Sequence, residues 1–372
     1  MSRRSRTTAT AATAALVLGL AALGGLPASA APPGEPVTVA TGLNNPRQLS
    51  IGPGHTLYVA EAGSAAACEP IPGVDAAYAL CGMTGSVTEV SRSGQRRVVT
   101  DLPALGFNGE VLGASDVQVR GTSIAVLIGG MAGAATARDG LADAFADFGT
   151  LQTGSLRSAP LTADDLALVA DINAFEVASN PDGNDPPDSN AVGFAPLGAK
   201  HWAVTDAGGN TLLTAGDDGV STVAVFPNGD LVPNPFGPGM IPPQAVPTDV
   251  AVGPDGAYYV SQLTGFPFPT GASTIWRVTS DGQVSAYATG LTMVTSLAWR
   301  DGVLYAVQLD DGSFFDGHVG SLREVTPGGS MHDAVVDGLS APYGLAIRGT
   351  SAFVTVDSVS SGGGSVLQID LR

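Results

Sequence analysis

The sequence predicts an all-β fold: a six-bladed β-propeller of four-stranded antiparallel blades, closed by an N-terminal strand that completes the last blade. Three observations carry that prediction. One strand–turn–strand unit recurs six times along the chain. A second hairpin follows the first, so the repeating unit is four strands long. The final copy stops one strand short, while an unmatched strand stands near the N-terminus. Composition agrees: 44% of the 372 residues are apolar and only 13% charged, with 50 Gly and 26 Pro, which suits short strands and tight turns. A β-sandwich is the alternative, but it does not require one four-stranded unit to recur.

Residues 1–30 form a tripartite export signal. Arg3, Arg4 and Arg6 are the basic region, Ala11 to Leu26 the apolar region, and Ala28-Ser29-Ala30 a small-residue cleavage site, so cleavage is expected after Ala30. The Arg3-Arg4 pair leaves Sec and twin-arginine export both open. No later segment is long and apolar enough to span a bilayer, and residues 31–372 are expected to form a single domain, monomeric and secreted. The formal charge is −18, and losing three arginines makes the mature chain more acidic still. Such a field repels nucleic acid and anionic membranes, which removes both as partners.

The repeats follow in order. Pro36–Leu43 (PVTVATGL) is the unmatched strand, and it resembles the fourth strands ending YATGL and VVDGL. The first copy is Asn45–Gly63, with Gly85–Leu102 as its outer hairpin. Between them lie the only two cysteines, Cys68 and Cys81, which in an exported chain indicate a disulfide. Gly113–Gly130 is the second and least obvious copy, followed by a long segment, Met131–Thr153. Asp171 can cap a short helix, INAFEVASN, leading into NPDGNDPPDSN. Ser189–Gly208 with Asn210–Phe226 is the third copy, Val246–Gln262 with Ser273–Leu291 the fourth, and Met293–Asp310 with Gly320–Leu339 the fifth. Ala341–Asp357, then 364–369, is the incomplete sixth. Leu49, Val117, Val192, Val250, Leu297 and Leu345 are taken as equivalent positions.

Strand order then separates two faces. One carries short turns such as GPGH, GPDG and TSDG; the other carries long loops, among them the disulfide loop, GFPFPTG and DDGSFFDGHV. Long loops on a rigid scaffold are where binding concentrates, so a small-molecule or protein partner is expected there. Second strands end at Glu61, Ile128, Asp206, Gln262, Gln308 and, within a residue, Asp357. First strands begin at Arg47, Ser115, Asn190, Thr248, Thr295 and Tyr343. The candidate mouth residues drawn from this ring and its rim are Arg47, Glu61, Asn190, Asp206, Asn210, Thr248, Gln262, Phe266, Phe268, Gln308 and Tyr343. Oxygen donors such as Glu61, Asn190 and Asp206 would suit a hard divalent cation such as Ca²⁺; a hydrated channel is the other account of them.

Catalytic signatures are sparse. The chain has no G-x-S-x-G elbow, H-E-x-x-H helix or phosphate loop. Of four histidines, His55 falls in a short turn, His201 beside a strand start and His332 in an outer hairpin; only His318, near Asp310, Asp311 and Asp316, lies in a long loop. Catalytic residues stay unassigned. NPDGNDPPDSN at Asn180–Asn190 offers many oxygen ligands but lacks EF-hand spacing.

Four strings, GLNNPR, NPDGNDPPDSN, VTDAGGN (Val204–Asn210) and AVPTDVAVGPDGAYYVSQLTGFPFPTG (Ala245–Gly271), resemble the ScyD/ScyE family of secreted six-bladed propellers. The resemblance covers essentially all of the mature chain and implies a fold and export more than a reaction. One departure lies at Asp188-Ser189-Asn190-Ala191-Val192-Gly193, where members usually read DSNPYG. A wider similarity is to NHL-repeat, gluconolactonase-like and streptogramin-lyase-like propellers. The gluconolactonase type implies a divalent metal held by Glu, Asn and Asp, a set that Glu61, Asn190 and Asp206 match by residue type alone. The lyase type needs paired histidines near the channel, which this sequence does not offer. The expected function is therefore a secreted binding module, with a metal-dependent lactonase- or lyase-like enzyme and a cell-envelope scaffold as alternatives.

Overall fold

A computed structural model describes residues 35–71, 78–107, 110–131, 134–141, 145–312 and 314–371. The export signal lies outside them. The described chain is mostly β, organised as successive antiparallel sheets whose strands follow one another in meander order. Sheet one comprises Pro46–Ile51, Leu57–Glu61, Gly85–Ser91 and Gly94–Leu102, with Leu161–Thr162 added in parallel at its edge. Sheet three is Ala191–Pro196, His201–Asp206, Thr211–Gly216 and Gly219–Val225. Sheet four runs Pro247–Val252, Tyr258–Gln262, Ser273–Val278 and Val284–Leu291; sheet five runs Val294–Arg300, Val303–Gln308, Val319–Glu324 and Asp333–Ser340.

Sheet two carries two strands that its sequence left unassigned. Ala114–Arg120 and Ser123–Ile128 are the expected hairpin, and Thr150–Ser155 and Ala167–Asp171 complete the set. Their alternation is weak: Leu168 is exposed, and Gly154 interrupts the third strand. In sheet six, Leu345–Arg348, Ser351–Val356 and Gly364–Asp370 are joined by Val37–Leu43, which pairs antiparallel with Gly364–Asp370. A small four-stranded sheet, Glu69–Pro70, Tyr78–Leu80, Leu105–Phe107 and Glu110–Leu112, lies between sheets one and two. The Cys68–Cys81 disulfide links the chain entering its first strand to the chain leaving its second, and Cys81 packs with Ala62, Ala104 and Val111.

Hydrophobic clusters sit between consecutive sheets. One joins Val87 and Val99 of sheet one to Val117 and Val126 of sheet two; another joins Leu49 and Val59 of sheet one to Phe353 and Val366 of sheet six. Each sheet is thus buried on both faces, which is why second strands such as SIAVLI are apolar at successive positions. The first strands pack against one another in succession, and Leu345–Arg348 packs against Pro46–Ile51. Among the described residues, no helix is long and apolar enough to cross a membrane.

The register of sheet three corrects one equivalence. Phe194 pairs with Val204, two residues before Asp206, just as Leu49 pairs with Val59 two residues before Glu61. Phe194, not Val192, is the counterpart of Leu49. Both strands carry the same bulge, between Pro46 and Leu49 and between Ala191 and Gly193, so the offset lies in where the sequence alignment started the strand, two residues early.

Candidate functional site

Bulges recur at one station of the first strands. Register shifts fall between Pro46 and Leu49, Ala114 and Asp116, Ala191 and Gly193, Pro247 and Val250, and Val294 and Ser296. A bulge leaves a residue out of the ladder and re-aims its side chain. Arg47, Ser115, Val192 and Thr248, all within these bulges, line a cavity of about 430 Å³, joined by Tyr343 from the chain entering sheet six. The rest of the wall is mostly apolar and includes Phe107, Leu112, Val246, Phe268 and Phe314.

Residues following the second strands supply another arc of wall: Ala62, Gly129, Ala207, Leu263 and Leu309. Each stands one position beyond a residue that the sequence placed at the mouth. Successive side chains of a strand point to opposite sides, so the polar strand-end residues point away from the cavity. Glu61 is 0% exposed; it accepts hydrogen bonds from Asn44 N–H, Ser86 Oγ and Thr88 Oγ1, and from the Arg97 guanidinium at 3.2 Å. Asp206 accepts from Ser189 Oγ and the N–H groups of Asn190, Gly208 and Gly209. Gln262 accepts from Thr274 N–H and Trp276 Nε1–H, and Gln308 from Thr292 N–H. Asn210 accepts from Val246 N–H and donates to Asp182 and Gly208. These five are clamps that pin connecting chain to strand ends, not ligand groups of the mouth.

Of the expected mouth residues, Arg47, Asn190, Thr248, Phe268 and Tyr343 do line the cavity. The expected metal set does not fit a metal. Glu61's oxygens already hold four donors, one of them cationic, and Asp206's are held by four more. Among the described residues, no three His, Cys, Asp or Glu side chains are grouped as metal ligands. His318 stands 3.6 Å from Asp310 and packs on Phe314, but it is absent from the cavity wall. Asp311 instead meets Gln308, Ser321 and Arg323, and the Asp316 side chain lies outside the described residues.

Aromatic rings build the rim. Phe268 has φ 57°, a left-handed conformation that aromatic residues rarely take, and it stacks on Phe314 at 4.3 Å. Phe266 does not line the cavity; it stacks on Phe236 at 5.6 Å and meets Phe268 edge-on at 6.1 Å. Within the wall, Arg47 donates to Val111 O and lies 4.9 Å over the Tyr343 ring. Burial raises the Tyr343 phenol above its usual range, with Arg47 opposing.

Beneath the bulges runs a polar network. Asp116 accepts from Val117 N–H and, across the sheet boundary, from Phe194 N–H. Asp249 likewise accepts from Val250 N–H and from Leu297 N–H of sheet five. Ser296 Oγ reaches both Asp249 and Gln48, and Gln48 Nε2 donates to Thr295 O, so a sheet-one side chain meets sheet five. Burial pushes the Asp249 carboxyl up to about 7 against the pull of these donors. Asp116 is raised well above the carboxylate range by burial and then by Asp249. The signal for this network was present in the sequence as Gln48, Asp116, Asp249 and Ser296, each next to a bulged residue, but period-2 alternation hides a bulge.

These features define an all-β protein of the β-propeller kind with a central, largely apolar cavity. Its structure resembles one described as glucose dehydrogenase, with a TM-score of 0.51 at 11% identity over 91% of this chain and 100% of that one. Virginiamycin B lyase from Staphylococcus aureus is also similar, with a TM-score of 0.47 at 9% identity over 90% and 99% of the two chains. At such identity the likeness is one of fold alone. No family model matches the chain, and no curated protein matches it.

Proposed function

We propose that the chain is a secreted, monomeric six-bladed propeller of the ScyD/ScyE type. In this reading it binds a small molecule with a flat apolar body and a polar end in the central cavity. The observation that carries the reading is the wall itself: bulged residues and strand-end neighbours from successive sheets converge on about 430 Å³ of mostly apolar space. Phe107, Phe268 and Phe314 offer ring faces, while Arg47, Ser115, Asn190 and Thr248 offer polar contacts. Among the described residues Glu110 is the one carboxylate of the wall, with no His, Cys or Lys in it, so these groups suit recognition rather than paired acid–base work.

Six blades are supported by the six inner strands that pack in succession, and closure by the pairing of Val37–Leu43 with Gly364–Asp370. Such closure gives sheet six its fourth strand and leaves only the short outer edge of each blade. Export is supported by the residue 1–30 pattern, and the disulfide suits an oxidising compartment. A solvatochromic probe with a flat apolar body and an anionic end, anilinonaphthalene sulfonate, tests the cavity. Saturable one-to-one fluorescence enhancement is expected, weakened about tenfold by Phe268→Ser, equivalent to ~1.4 kcal/mol of lost ring contact. Phe266→Ser, which removes only an edge-on neighbour of Phe268, should weaken it less. Non-saturable enhancement, or equal binding by Phe268→Ser, overturns the proposal.

A further inference from the structure

The helix Ile172–Ser179, capped by Asp171, carries Glu176 into a corner behind sheet three. Glu176 is 0% exposed, and neither carboxylate oxygen has a hydrogen-bond partner. A buried carboxyl with no donor is costly, and in native proteins it marks a group that something else must satisfy. Its surroundings are acidic. A Cβ built on Gly209 would stand 2.7 Å from Glu176 Oε2 and 3.4 Å from Asp206 Cγ; one built on Gly208 would stand 2.6 Å from Asp188 Oδ1. The Gly208-Gly209 turn is therefore bordered by three carboxylates. Asp188 Oδ1 and Asn180 Oδ1 also lack partners, and Asp182 reaches the same corner through Asn210. Among the described residues, no Lys or Arg forms an ion pair with Glu176, Asp182, Asp188 or Asp206.

Burial, then Asp206, Asp182 and Asp188, push the Glu176 carboxyl up to about 8; burial and Asp206 push Asp188 up to about 7. The geometry points to a divalent-cation site, best suited to Ca²⁺, between Glu176, Asp188 and the loop Asn180–Asn190. Ca²⁺ takes six to eight oxygens in flexible geometry and often a bidentate Glu, which matches a carboxylate with both oxygens free and an oxygen-rich loop beside it. Mg²⁺ demands near-ideal octahedral geometry and keeps its waters. As placed, the carboxylates are not closed to coordination distance; the Asp188 backbone is held by a bridge to Ala134, so closure falls to side-chain rotation. The site borders Asp206 but rests on Glu176 and Asp188, which the strand-end set Glu61, Asn190 and Asp206 does not include, and it does not depend on what fills the central cavity.

Calcium chloride alone, added to the chelator-treated full chain, tests this by calorimetry and thermal unfolding. One Ca²⁺ per chain is expected, with a Kd below about 10⁻³ M and a Tm raised by several degrees. Mg²⁺ should bind more weakly. Glu176→Gln should weaken Ca²⁺ binding at least about tenfold, and Asp188→Asn should do so through an independent substitution. In crystals of the wild-type chain grown with Ca²⁺, the ion's anomalous peak should lie beside Glu176, so the assignment stands or falls even if both variants misfold. No binding by the wild-type chain, unchanged binding by folded Glu176→Gln, or a peak elsewhere overturns it.

Discussion

Sheets one and three place an acidic residue at the same station, the end of the second strand, and surround it differently. In sheet one, Glu61 meets two hydroxyls, a backbone N–H and the Arg97 guanidinium. In sheet three, Asp206 meets a hydroxyl and three N–H groups but no cation, and Glu176 stands close behind it with no donor. Between these extremes lies Asp249, buried with donors and no counter-charge. The difference teaches that burial alone does not assign a carboxylate's role. Donors and counter-charges decide whether it is a finished clamp or a charge still waiting for a partner.

The largest expected effect concerns Asp249. Its folded carboxyl is raised to about 7, above the unfolded value, so its contribution to stability is complete below pH ~4 and is lost as pH rises through 7. At about 1.4 kcal/mol per unit the loss is bounded near ~4 kcal/mol. Denaturation midpoints measured from pH 4 to 8 should fall over that window and fall less in Asp249→Asn, with Asp116, Asp188 and Glu176 supplying the residual slope. An equal slope in wild type and variant would remove Asp249 from the series. Next comes Glu61→Ala, which leaves Arg97, Ser86, Thr88 and the Asn44 N–H without their acceptor and should cost about 3 kcal/mol. A guanidinium midpoint shifted by under a third of that would break the contrast with sheet three. The smallest effect has the opposite sign. In chelator at pH 9, above the raised Glu176 value of about 8, Glu176→Gln should stabilise by ~1 kcal/mol, because an amide can donate to the neighbouring carboxylates where the ionised Glu cannot. A destabilised, chelator-treated variant would place Glu176 with Glu61 as a structural clamp.

Much of the organisation was legible in the chain. Gly-containing turns between alternating strands marked the inner hairpins, the two cysteines marked the disulfide, and Asp171 marked the helix start. Sheet two's outer strands were not legible, since Leu168 is exposed and Gly154 breaks the apolar pattern. At the mouth, Arg47, Thr248 and Phe268 were found, whereas Phe107, Val192, Leu263 and Phe314 were missed. Polarity was the guide used, and here polarity marks the clamps while the cavity wall is apolar. GFPFP divides on the same line: Phe268 enters the cavity wall, and Phe266 stacks outside it.

By itself the sequence determined the strand pairs, the turns between them and the disulfide, because these follow from local periodicity, glycine placement and cysteine count. Only the tertiary structure decided which way the first-strand side chains point at the mouth. A single bulged residue reverses that direction, and nothing in the local pattern records it. The tertiary structure also decided which carboxylates keep company with a cation. Arg97 reaches Glu61 across 36 residues, and Glu176 reaches Asp206 from a neighbouring helix. Charge pairing depends on distance in space, which one-dimensional order leaves open.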